Sequence, residues 1–275
     1  MKGDLGLQFS VLASGSSGNS LYLREGNTRL LLDAGISGRQ IQTRLASAAN
    51  VQVGELQALL LTHEHVDHIR GVQQILKQSQ AMVYTTEGTW QHVVASLPEN
   101  LSDGRVFFIH GGESFNLGEI RVTPFTISHD AEEPVAYRFD TPQGSLAVVT
   151  DLGYVSDPIK EIIAGCQCYV FESNHDVEML RAGRYPWSVK RRIIGDKGHL
   201  SNTDAAIALA DIVGNQGVDV YLAHLSAENN HPDLAELTVQ SVLQEIQARF
   251  TEQVTLHRTS RETASGLHTL STGQV

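Results

Sequence analysis

Four metal-binding side chains crowd into six consecutive residues: His63, His65, Asp67 and His68 within Thr62-His63-Glu64-His65-Val66-Asp67-His68. Imidazole nitrogens and carboxylate oxygens together suit zinc, manganese or iron. The cluster follows an apolar stretch and precedes a helical pattern, which places it in a strand-end loop. There side chains can converge, whereas a continued strand would send them alternately to two faces. The competing reading, a solvated histidine-rich loop, gives no reason for such spacing. Metal held there would activate water, which is hydrolytic chemistry.

The elements around the cluster follow from local pattern. Residues 9–13 and 20–23 read as strands around a Ser-Gly-Ser-Ser-Gly-Asn turn, and Thr28–Leu32 reads as a third that ends at Asp33-Ala34-Gly35. Helical spacing covers Gly38–Ala49 and residues 69–78, with a short apolar strand at 58–61 between them. A strand at 81–85, a helix at 89–97 and several strands across 105–150 come next. The second half repeats the theme, with strands at 168–171 and Val218–Ala223 and helices at 203–213 and 234–250. Two halves of this kind predict an α/β fold with two sheets flanked by helices. The Ser14 to Ser20 loop carries backbone N–H groups that could face a phosphate. It lacks the Lys-Ser/Thr ending of a P-loop, so turning is its expected role.

At 275 residues and 30.0 kDa, one large domain over 1–256 is expected, followed by a polar, frayed tail at 257–275. The content of 41% hydrophobic and 19% charged residues is that of a globule with a substantial core. No basic stretch leads into an apolar one at the N-terminus, and no run approaches the ~18 apolar residues of a membrane span. A cytoplasmic protein with no membrane partner is expected. Cys166 and Cys168 share one face of a strand with poor geometry for a disulfide, and they read as small core residues. A net charge of −11 argues against indiscriminate binding to nucleic acid but leaves room for a local basic surface.

The motif resembles that of the metallo-β-lactamase superfamily, whose His-x-His-x-Asp-His stands intact as His63, His65, Asp67 and His68. Other features follow in order: Asp33, His129, Asp151 and His224, each ending an expected strand. The resemblance covers about residues 8–256 and implies a four-layer αββα sandwich. It implies two divalent ions per chain, zinc or manganese with iron a further option. His63, His65 and His129 would hold one ion, Asp67, His68 and His224 the other, and Asp151 would bridge them. Asp33 would orient a ligand, and a hydroxide bridging the ions would be the nucleophile. Taken singly, His129, Asp151 or His224 would more often be an ordinary polar residue.

The distal motifs narrow the branch. Phe171-Glu172-Ser173-Asn174-His175, Gly198-His199-Leu200-Ser201 and His224-Leu225-Ser226 resemble the ribonuclease Z-like nucleases. That resemblance makes Asp67, Glu172 and His199 catalytic, with Glu172 orienting His199 as the acid for the leaving alkoxide. With Ala13 to Ser20 and His224 to Asn230 added, the chain is identified as resembling the bacterial YycJ family, also called WalJ or VicX. This implies a phosphodiesterase, foremost a 5′-to-3′ exonuclease on DNA rather than RNA, and by analogy a homodimer. Only twenty-one residues separate His129 from Asp151, which leaves no space for the transfer-RNA-gripping arm of ribonuclease Z. Six basic residues fall between Arg181 and Lys197, among them Lys190, Arg191 and Arg192, which with His175 are candidate substrate contacts. Tyr185 and Trp187 in the same stretch could stack on bases, or the stretch could be a solvated helix face with its aromatics in the core. An RNA-processing nuclease, a hydrolase of small or cyclic phosphodiesters, and a metal-containing regulatory or partner-binding protein are the alternatives.

Overall fold

Phe9, Val11 and Ala13 point to one side of the first strand, β1 (Gln8–Ala13), and Gln8, Ser10 and Leu12 to the other, yet all six are buried. A strand covered on both faces must find partners for its polar members. Ser10 Oγ donates to Ser265 O at 2.8 Å and Gln8 Nε2 to Thr269 Oγ1 at 2.7 Å. The computed structural model describes residues 6–102, 104–214, 216–247 and 250–270. It forms two units, one of Met1–Thr126, Ala131–Gly144 and Thr259–Val275, the other of Ile127–Asp130 and Ser145–Arg258.

In the first unit, β1 pairs antiparallel with β2 (Ser20–Glu25), and β2 with β3 (Thr28–Leu32). From β3 the sheet continues in parallel through β4 (Ala58–Leu60), β5 (Met82–Thr85) and β6 (Val106–Phe108). Parallel neighbours need crossovers, and the helix Gly38–Ala49 supplies the first. Its Ser37 and Gln40 form a capping box, and its buried Ile41, Leu45 and Ala49 recur at helical spacing. The expected helix at 69–78 is broken into Val66–Ile69 and Val72–Gln78. Between them Gly71 N donates to Ala34 O at 2.6 Å, and a Cβ there would come within 2.5 Å of Ile36 O. β7 (Phe115–Leu117), β8 (Ile120–Thr126) and β9 (Val135–Thr141) form an antiparallel ribbon in this unit.

The second unit carries four parallel strands: β10 (Gly144–Val149), β11 (Cys168–Glu172), β12 (Val218–Ala223) and β13 (Val254–Arg258). Helices Asp157–Ile163, Asn202–Ile212 and Pro232–Ile246 lie between them in sequence. Val149, Phe171 and Leu222 stand level across the sheet, so the carboxyl ends of β10, β11 and β12 share one edge, where α/β sheets build their sites. Cys166 and Cys168 are buried and not joined in a disulfide.

Where a frayed tail is expected, the chain re-enters the first unit. His268–Thr269 forms β14, pairing antiparallel with β1 through Phe9↔His268 and Gln8↔Thr269. Leu270 N donates to Leu7 O at 2.8 Å, and Ser265 Oγ accepts from Val11 N at 3.0 Å. Among the described residues no helix is long and apolar enough to cross a membrane.

Candidate metal centre

In the first unit, β3 ends at Asp33 and β4 leads into Thr62. Asp33 adopts a left-handed backbone (φ 57°), a sharp turn that Asp tolerates better than most residues. Its carboxylate accepts from Thr62 N and Thr62 Oγ1, both at 2.9 Å, and from His68 Nδ1 at 2.8 Å. Because the Thr62 hydroxyl donates to Asp33, its lone pair receives His63 Nδ1–H at 3.0 Å. Both histidines therefore carry their proton on Nδ1 and keep Nε2 as a ligand atom, the arrangement carboxylates impose on metal-binding imidazoles.

His63 Nε2 and His65 Nδ1 lie 3.1 Å apart. Two nitrogens at ~2.0–2.1 Å from a tetrahedral ion are separated by about 3.3 Å, so the pair matches one edge of such a site. Asp67 sits in the first turn of Val66–Ile69, next to His68 in sequence. The motif loop is fastened through its backbone: Asn19 N donates to Asp67 O and Ala34 N to His68 O, each at 2.8 Å. Gly35 permits this packing, since a Cβ there would fall 1.6 Å from Asp67 O. The loop N–H groups of Gly15, Gly18 and Asn19 all bond within the protein, in agreement with a turning role. Asn19 itself was not among the expected site residues. Its Oδ1 accepts from Gly15 N, which turns Nδ2 to 3.1 Å from His68 Nε2.

In the second unit, Asp151 follows β10 and His224 follows β12, both with left-handed backbones (φ 62° and 54°). Glu172, the last residue of β11, is fully buried between them. Its Oε1 accepts from His199 Nδ1 and His224 Nδ1, each at 2.9 Å, and its Oε2 from Leu152 N and Leu200 N, each at 3.1 Å. Burial pushes this carboxyl up, but the His199 and His224 imidazoles outweigh it and hold the value at about 2. One carboxylate thus fixes two imidazoles in the same tautomer, with Nε2 left to react or ligate. Sequence reasoning paired Glu172 with His199 alone. The second bond, to His224, is visible only once β11 and β12 are side by side.

His129 Nδ1 is 3.3 Å from Gly198 O, again leaving Nε2, and burial holds this imidazole below its ordinary range. Asp151 Oδ1 lies 3.3 Å from His224 Nδ1 and 4.0 Å from His129 Nε2. Asp151, Glu172, His199 and His224 each place a donor atom within 4.8 Å of the others. Buried nitrogen and carboxylate donors with fixed tautomers fit a divalent ion, and the chain binds divalent metal.

The basic stretch does not present all its charges to a substrate. Lys190 is not available to a substrate: it is buried, and its Nζ donates to Arg181 O at 2.6 Å and Gly183 O at 2.7 Å, closing the end of helix Val177–Ala182. Lys190→Met is expected to lower unfolding free energy by about 1–3 kcal/mol in a denaturant titration, because two charge-assisted bonds are lost. An unaltered midpoint would mean those bonds contribute nothing. Arg192 Nε pairs with Asp130 Oδ2 at 3.0 Å, beside His129, whereas Arg191 is exposed. His175 is buried, with Nδ1 lacking a hydrogen-bond partner, and bridges to Ser201 through its backbone.

Strand-end carboxylates and imidazoles with fixed tautomers define a divalent-metal centre of the hydrolytic kind. The Beta-lactamase superfamily domain matches residues 28–224, a span running from β3 to His224, and the chain belongs to this superfamily. The chain is 46% identical to Exodeoxyribonuclease YycJ of Bacillus anthracis over 88% of its own length and 90% of that protein. It is 40% identical to Exodeoxyribonuclease WalJ of Streptococcus pneumoniae over 96% and 98% of the two chains. The metallo-beta-lactamase fold protein YhfI from Bacillus subtilis superposes with a TM-score of 0.72 at 14% identity, covering 94% of this chain and 98% of that one. The α/β metallo-β-lactamase fold expected from the sequence is the fold of the chain.

Proposed function

We propose that the chain is a dinuclear metal-dependent nuclease that hydrolyses phosphodiesters at the ends of DNA. One observation carries this reading: a single buried carboxylate, Glu172, holds both His224 and His199, each at 2.9 Å from Nδ1. An imidazole fixed beside a ligand imidazole, with its far nitrogen turned outward, is placed to protonate a departing alkoxide. Esters with better leaving groups need no such acid. The relatives named exodeoxyribonucleases support the choice of DNA.

The ligand assignment rests on the family resemblance. By it His63, His65 and His129 would hold one ion and Asp67, His68 and His224 the other, Asp151 would be shared, and the ions would be zinc or manganese, with iron a further option. When bound, such ions activate water and offset charge on the phosphate oxygens. Asp33 and Thr62 orient His68 and His63, Gly198 O orients His129, and Glu172 orients His224 and His199. His199 Nε2 would deliver the proton to the leaving oxygen.

The reading is tested by incubating metal-loaded protein, beside Asp67→Ala, with end-labelled single- and double-stranded DNA, RNA, a cyclic dinucleotide and a chromogenic phosphodiester. Stepwise shortening of DNA from one end is expected, together with loss of turnover in the variant. Turnover of only the small esters would replace the nuclease by a small-phosphodiester hydrolase.

A further inference from the structure

The helix Trp187–Ile194 carries an arrangement that the metal centre does not use. At ~100° per residue, Trp187, Arg191 and Ile194 fall on one stripe, the i, i+4, i+7 set, while Lys190 is turned inward. Trp187 is 59% exposed and Ile194 50%, large values for side chains of this size. Arg191, Arg184 and Lys197 are exposed and form no ion pair among the described residues. Between Arg181 and Lys197 six basic residues face a single acid, Asp196, in a chain of net charge −11. An exposed indole beside an unpaired guanidinium group offers a ligand a stacking face and a cation together.

The helix also has a fixed relation to the proposed acid. His199 N donates to Ile193 O at 2.9 Å, and Gly198 N to Gly195 O at 2.7 Å, so the chain folds back on the helix's last turn immediately before His199. Gly198 makes that fold possible, since a Cβ would lie 2.1 Å from Ile193 O. Seven residues at ~1.5 Å rise separate Trp187 from Ile194, a distance of about 10 Å. That is about three nucleotides of stacked strand at ~3.4 Å each.

We propose that the Trp187–Arg191 stripe is a docking platform for single-stranded nucleic acid, with Trp187 stacking on a base and Arg191 contacting the adjacent backbone. The charge of the surface selects this occupant: a polyanion neutralises Arg191, Arg184 and Lys197, and aromatic stacking accepts any base. A two-fold contact with a second copy would cover the apolar atoms but would set the same cations against one another, which a strand instead neutralises. The inference rests on the nuclease reading and adds to it the part of the surface that grips the strand.

Fluorescence separates the two. Trp90 is buried, so quenching by an added strand reports on Trp187. The metal-loaded protein is titrated with a phosphorothioate oligothymidylate that resists cleavage. Quenching is expected in the parent. Trp187→Ala should weaken binding, followed by anisotropy of a labelled strand, by about five- to a hundredfold, with Trp187→Phe recovering most of it. Arg191→Ala should reduce the slope of log affinity against log salt by about one. In Trp187→Ala, KM for a labelled single strand should rise in step, while turnover of bis(p-nitrophenyl) phosphate stays unchanged. Unchanged strand affinity and KM in Trp187→Ala, in a protein that still degrades DNA, would overturn the platform and leave the nuclease reading standing. The same result joined to a shift from dimer to monomer in light scattering would assign the stripe to a second copy. A parent protein that turns over the small diester but neither binds nor cleaves DNA would remove both readings.

Discussion

Glu172→Ala is expected to produce a protein that is less stable, binds metal more weakly and hydrolyses DNA at least two to four orders of magnitude more slowly. Each effect has its own source. Four donors, Leu152 N, Leu200 N, His199 Nδ1 and His224 Nδ1, lose their shared acceptor inside a fully buried site. Removing one partner from a buried charged network costs about 3–5 kcal/mol, measurable as a shift in the denaturant midpoint. His224 loses the bond that fixes its tautomer, which typically lowers metal affinity 10- to 100-fold. His199 loses its orientation, which costs about the 10² to 10⁴ attributed to a positioned acid. Excess metal should restore the affinity component and leave the rate component. Full recovery of rate at saturating metal would show that Glu172 serves the ligand alone. The carboxyl is held at about 2 against an ordinary 4.5, so its stabilising contribution is complete above about pH 4.5 and is lost as pH falls towards about 2. A metal-free Glu172→Ala protein should therefore lose less stability than the parent across that interval.

For His199→Ala the expected pattern is narrower: DNA hydrolysis slower by about 10² to 10⁴, with metal content and unfolding midpoint close to the parent's. The side chain is only 14% exposed, yet its one fixed bond is to Glu172, which keeps His224 as a partner when His199 is gone. The leaving group discriminates a proton donor from a packing residue. Expulsion of an alkoxide from DNA needs a proton, whereas p-nitrophenolate leaves without one. Turnover of the chromogenic ester should fall much less than cleavage of DNA. Equal losses on both substrates would indicate a general distortion, and undiminished DNA cleavage would take His199 out of the mechanism.

The His63 to His68 cluster was legible because its information is local. Spacing within one loop decides it, and the structure holds His63 and His68 through Thr62 and Asp33 and brings His65 Nδ1 to 3.1 Å from His63 Nε2, as a strand-end loop allows. His129, Asp151 and His224 are single residues far apart in sequence, and only the family resemblance singled them out. A backbone signal does exist: Asp33, Asp151 and His224 take left-handed conformations at strand ends, where aspartate and histidine are enriched among non-glycine residues. Lys190 was misread for a geometric reason. A basic run shows charge but not rotation, and on a helix Lys190 and Arg192 point about 160° apart, one into carbonyl groups and one to Asp130. Residues 259–270 escaped hydropathy for another reason. They attach through hydroxyl and backbone hydrogen bonds and through scattered apolar side chains, Ala264 and Leu267 against the core and the buried Leu270, which form no periodic run.

That returning segment bears on the order in which the protein can be made. β14 covers the outer edge of β1, and Leu270 closes on Leu7, so β1 waits until residues 268–270 have been translated before its last neighbour arrives. Until then β1 presents an unpaired, apolar edge of the kind that recruits foreign strands. Truncation before residue 259 should therefore show itself first in yield and aggregation, even though every metal-binding side chain would already have been translated.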